Sequence, residues 1–118
     1  MKEILEQAEE LGKAIAASER AEGVEAARRE VESDASLQSE MKQLGDLSER
    51  IAALEKEVKP VEPADKRRRR DLQESISRHP KMRQLARAEA DFAELMNRVN
   101  RAIREQFMIR GNAEADAP

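Results

Sequence analysis

The sequence predicts an all-α protein of about five helices, in which two long helices form an antiparallel hairpin or bundle that dimerises through helical packing. Three observations predict it. Ala, Glu, Leu, Lys, Arg and Gln, all good helix formers, dominate the 118 residues, whereas the aromatic residues that strands favour make up 2%. Apolar residues recur at steps of three and four over long stretches, the period of one helix face. Prolines at positions 60, 63 and 80 fall between those stretches.

A first helix is expected from about Lys2 to Ser18, where Ile4, Ala8, Leu11 and Ile15 make one stripe. Gly12 lies near that face and costs roughly 1 kcal/mol against Ala in a helix interior, which a closely packed neighbouring backbone would explain. Gly23 is the first expected interruption. A short second helix follows it, with Val24, Ala27 and Val31 on one side and an end at Glu32 to Ser33. Asp34 or Ser36 can cap the third, whose Leu37, Met41, Leu44, Leu47, Ile51, Leu54 and Val58 step by four or three throughout. That spacing averages about 3.5 residues, the coiled-coil repeat, and suits packing against a long partner helix.

Pro60 and Pro63 then break the ladder and push the residue before each toward extended geometry, so 59–63 reads as a reversal. The fourth helix starts with Pro63 and Asp65 in its first turn, faces the core with Leu72 and Ile76, and runs to about Ser77 or Arg78. His79-Pro80 marks a break or kink. Beyond it Met82, Leu85, Ala88, Phe92, Leu95, Val99, Ile103 and Phe107 form another long stripe, while Gly111 to Pro118 has no apolar period. The expected organisation is one helical domain over residues 1–108 and a disordered tail over 109–118.

Of the hydrophobic residues 19 are Ala, which leaves 27 larger side chains to offset the entropy of ordering the chain. A core that thin favours self-association. The net charge of −3 is unevenly spread: residues 1–65 carry −8, 66–90 carry +6 and 91–118 carry −1. Such a layout suits complementary association between copies or with a charged partner. Absence of Cys excludes disulfides, thiolate metal sites and a cysteine nucleophile, and fits the reducing cytoplasm, the expected location. Neither a signal-peptide pattern nor a membrane-spanning apolar run is present.

The order of these pieces resembles the YlbF/YmcA family of small helical bacterial regulators. The resemblance lies in Ala8-x-x-Leu11-Gly12-x-x-Ile15-x-x-Ser18, Ala27-x-x-x-Val31-x-x-Asp34 and Leu37 with Met41. It continues after the Pro-containing linker with Leu72-x-x-x-Ile76, His79-Pro80 and Phe92-x-x-Leu95-Met96-x-x-Val99-Asn100-x-x-Ile103, so that it spans residues 2 to 107. It implies a five-helix protein that forms homodimers or higher oligomers and works through protein contacts. It also implies an accessory role beside family paralogues in modulating RNase Y, with effects on RNA processing, competence, sporulation and biofilm formation. The chain departs from the family in lacking the cysteines that some relatives associate with iron–sulfur binding. It also has Ala21 and Met41 near positions where the family tends to place aromatic rings.

On these grounds the expected oligomer interface comprises Leu37, Met41, Leu44, Ile51, Phe92, Leu95, Met96, Val99 and Ile103. The expected partners are the chain itself and other regulatory proteins, with no membrane. A second candidate is the run Lys66, Arg67, Arg68, Arg69 and Arg70, extended by Arg78, Lys81, Arg83 and Arg87, as a phosphate-binding patch for nucleic acid. Against it stand the scarcity of rings to stack on bases and the acidity of the remainder; a solvated or acid-paired face is the plainer account. His79 lacks partners at catalytic or metal-binding spacing and reads as a turn residue. Glu6, Glu9 and Glu10 come without the Glu-x-x-His motifs of carboxylate metal bundles and read as a solvated face. Asn100 beside the last stripe can set register or simply meet water, and the Met residues on the stripes suit an adaptable core. With no Ser/His/Asp set, Gly-rich phosphate loop or metal constellation, the sequence predicts no enzyme and no cofactor.

Overall fold

The computed structural model describes the backbone of residues 1–115 and the side chains of residues 1–111. Among them lie five helices and no strand: α1 (Lys2–Ala16), α2 (Glu19–Ser33), α3 (Ala35–Lys56), α4 (Pro63–Arg78) and α5 (Pro80–Ala115). The all-α class and the number of helices are as the sequence predicts.

Ser18 sets the first boundary. Its Oγ donates to the Ile15 carbonyl at 2.6 Å, closing α1, and accepts the Ala21 N–H at 3.2 Å, capping α2. The expected interruption at Gly23 is corrected: α2 runs straight through it. One glycine costs roughly 1 kcal/mol in a helix. The buried Ala27 and Val31, together with the cap at Ser18, hold α2 despite that.

Asp34, rather than Ser36, caps α3, its Oδ1 accepting the Leu37 N–H at 3.0 Å. At the other end of α3 the Lys59 N–H reaches the Leu54 carbonyl (2.8 Å) and the Val58 N–H reaches that of Glu55 (3.1 Å). These are the two bonds of a Schellman cap, which places its first residue beyond the cap in the left-handed region. That residue is Val58, with φ 56°, the one non-glycine residue of positive φ among those described. Pro60 follows, and Pro63 opens α4 as its first helical residue.

The chain divides into two compact units, Glu25–Ala86 and Met1–Val24 with Arg87–Pro118. In the first, α4 runs back along α3. Arg50 pairs with Asp65 at 2.9 Å, Arg68 bonds Gln43 at 3.0 Å and Ser75 bonds Glu40 at 3.0 Å, so one helix ascends as the other descends. Leu47, Ile51 and Leu72 form one buried cluster, with Val61 packed on it, and Val31, Leu37 and Ile76 form another, with Met82 and Leu85 packed on it. Leu44 touches both. At 0% and 1% exposure, Ile51 and Leu37 are enclosed by their own chain.

His79 adopts the extended geometry that a following proline imposes (φ −62°, ψ 130°), so the chain breaks there and α5 starts afresh at Pro80. The expected disordered tail begins too early, because α5 continues through Gly111 to Ala115. The remainder of that tail, 116–118, lies outside the described residues.

Candidate interaction surfaces

The seven buried hydrophobic residues, Ala27, Val31, Leu37, Leu47, Ile51, Leu72 and Ile76, all lie in the unit Glu25–Ala86. Among the described residues the other unit contributes none. It holds instead most of the large apolar side chains left in water: Met1, Ile4, Leu5 and Leu11 on α1 and its cap, and Ile103, Phe107, Met108 and Ile109 on α5. Ile4 is 69% exposed and Phe107 73%. Eight of the exposed large apolar side chains among the described residues thus lie on two helical segments of this one unit.

The structure sorts the nine expected interface residues into three groups. Leu37 and Ile51 are corrected: they are core residues, because α4 covers the α3 stripe from within the same chain. Leu44 is half-buried between the two clusters for the same reason. Phe92, Leu95, Met96 and Val99 are half-buried on α5, and only Met41 and Ile103 are exposed. The exposed apolar residues that sequence reasoning left out of the expected interface are Ile4, Leu5 and Leu11 on α1 and Phe107, Met108 and Ile109 on α5. The stripe of Ile4 and Leu11 was legible, but nothing in it says whether another element covers it. Gly12, on the same side, has open space where a side chain would stand, so the close approach that its presence suggests does not occur among the described residues.

The basic run occupies the first half of α4. Arg68 reaches Gln43, and Arg69 is half-buried on the side that leads to Leu72 and Ile76. Lys66, Arg67, Arg69 and Arg70 form no ion pair with an acidic side chain of the described residues. Pairing with the acidic half of the chain is therefore not what accounts for them. Among the described residues no group of three His, Asp or Glu side chains is placed to hold a metal ion, and no helix is long and apolar enough to cross a membrane.

Asp34 is the most constrained polar residue. Besides capping α3, its Oδ2 lies 3.2 Å from Lys81 Nζ and 3.5 Å from His79 Nε2. His79 Nδ1 accepts the Lys81 N–H at 3.1 Å, which leaves the ring proton on Nε2, facing Asp34. The Leu37 N–H, and after it the Lys81 ammonium, hold the Asp34 carboxyl below its ordinary range. One carboxylate thus fastens the start of α3 to the start of α5. It works as a structural clasp: every polar atom it meets belongs to the fold.

The described residues thus hold an α3–α4 hairpin core in one unit and, in the other, helices whose large apolar side chains are mostly exposed. The family model described as "Control of competence regulator ComK, YlbF/YmcA" matches residues 4–107, and the chain belongs to this family of regulators. No curated protein and no solved structure matches the chain.

Proposed function

We propose that this chain is a non-catalytic regulatory adaptor of competence control that acts in the cytoplasm by binding proteins through the exposed apolar faces of α1 and the end of α5. Its partners are further copies of itself and other regulators, in the first place family paralogues and the RNase Y machinery that the resemblance implies. One observation supports the reading above all: α1 has no buried residue, yet carries an apolar stripe. A stripe in water costs roughly 25 cal/mol per Å² relative to its burial, so binding is its economical use. The experiment is affinity capture of purified RNase Y and of paralogues by the wild-type chain and by Leu11→Asp and Phe107→Asp. Capture by the wild type and its loss in both variants is expected; equal capture by all three would refute the role of these faces.

A second reading rests on the unpaired Lys66, Arg67, Arg69 and Arg70, which leave positive charge free for a phosphate backbone. An RNA or DNA mobility shift at low salt that fades as salt rises would support it, and unchanged mobility at low salt would remove it.

A further inference from the structure

We infer that His79 is a proton-sensitive helix cap: as a neutral ring it holds the first turn of α5, and on taking up a proton it releases that turn while tightening on Asp34.

His79 stands immediately before α5 and meets both criteria of an N-cap. Its carbonyl accepts the Arg83 N–H at 3.0 Å, the first bond of the helical ladder, and its Nδ1 accepts the Lys81 N–H at 3.1 Å. Pro80, at the first helical position, has no N–H to offer, so Lys81 carries the first free donor of α5 and the ring is what satisfies it. The usual N-caps, Asn, Asp, Ser and Thr, accept through an oxygen throughout the neutral range. Histidine differs from them. Its charge changes at about pH 5–8, and the charged ring has hydrogen on both nitrogens and accepts nothing. No rotation of the ring restores the bond. Nδ1–H would instead face the Lys81 N–H, donor against donor, at a helix end whose dipole also disfavours a cation.

The surroundings give the charged ring another attachment. Asp34 Oδ2 lies 3.5 Å from Nε2. The Leu37 N–H, and after it Lys81, hold that carboxyl below its ordinary range, so it stays ionised while the ring titrates. Lys81 Nζ, 3.2 Å from the same oxygen, is the competing cation, and Glu30, at 3.8 Å, offers it a second anchor. These three charges face the ring or its partner from the α2–α3 junction, α5 and α2, whereas Arg78 and Arg83, near it in sequence, are exposed. Protonation therefore exchanges a bond to the α5 backbone for an ion pair to the cap of α3. What loosens is the turn that seats Met82 against Val31, Leu37 and Ile76. The joint between α4 and α5 is firm with a neutral ring and slack with a charged one.

Nuclear magnetic resonance on the full, nitrogen-15-labelled chain tests this between about pH 8 and pH 5, the range of histidine chemistry. At the alkaline end the ring should be the Nε2–H tautomer. As it takes its proton, the Lys81 amide should shift with the same midpoint. Its protection from hydrogen exchange, corrected for the intrinsic effect of pH, should fall about fivefold, the factor an ordinary cap is worth. His79→Asn keeps an accepting cap that does not titrate, so its Lys81 amide should hold constant protection; His79→Ala should be poorly protected at every pH. Helix content by circular dichroism should match the wild type in both variants at neutral pH. Four results would each overturn the inference: a neutral ring in the Nδ1–H form, a ring that takes no proton down to about pH 5, Lys81 protection that stays level while the ring titrates, or the same loss of protection in His79→Asn.

Discussion

Val58 gives the sharpest test of how this chain turns corners. It sits at φ 56° just past the cap of α3, held there by the two bonds to Leu54 and Glu55, and is 91% exposed. A left-handed residue other than glycine costs roughly 1–2 kcal/mol, and a β-branched one belongs at the upper end of that range. Replacing it with glycine removes that strain, while the greater freedom of glycine in the unfolded chain gives back about 0.5–1 kcal/mol. With so little side-chain burial to lose, Val58→Gly should stabilise the protein by about 1 kcal/mol net. For a chain of this size that raises the melting temperature by about 4 °C, to be read by thermal circular dichroism at fixed protein concentration. Val58→Ala keeps the β-carbon and should gain less; Val58→Asn, a residue more tolerant of this region, should fall between. An unchanged or lowered melting temperature for the glycine variant would refute the assignment of strain to this turn.

Other outcomes follow from the same geometry. Ile51→Ala, at a fully enclosed position between α3 and α4, should cost about 2–5 kcal/mol in urea titration, whereas Ile4→Ala on α1 should leave the stability of the unassociated chain nearly unchanged. Asp34→Ala removes a cap and should cost about 1 kcal/mol, while Asp34→Asn keeps a capping oxygen and should cost less. The charge of Asp34 adds a pH dependence. Its folded pKa is depressed, so the stability it lends is complete above the unfolded value of 3.8 and is lost as pH falls through the lower folded one. The difference between wild type and Asp34→Asn should therefore shrink as pH falls below about 4. Gly12→Ala, with open space for its methyl group, should stabilise α1 by about 1 kcal/mol, read as higher helix content by circular dichroism.

How far the sequence reveals this molecule depends on which interaction is asked for. The α3–α4 reversal is legible because Pro60 and Pro63 act on the backbone itself, and the start of α3 because Asp34 can satisfy an orphan N–H from its own side chain. Gly23 misleads because a local penalty of roughly 1 kcal/mol is smaller than what the burial of Ala27 and Val31 returns. The α3 stripe misleads in another way. Its periodicity declares an apolar face but not its neighbour, and α4 covers Leu37 and Ile51 with little more than Leu72 and Ile76. The α1 stripe, equally regular, has no buried residue, so two patterns alike on paper end in different environments among the described residues.

The confinement of the buried residues, among those described, to Glu25–Ala86 also bears on how such a protein can change over time. The side chains that hold the hairpin together and those exposed on α1 and the end of α5 are different sets. Substitutions on α1 or the far end of α5 can therefore accumulate without bringing the hairpin closer to unfolding. A lineage built this way can vary its outer helices freely while keeping the same scaffold.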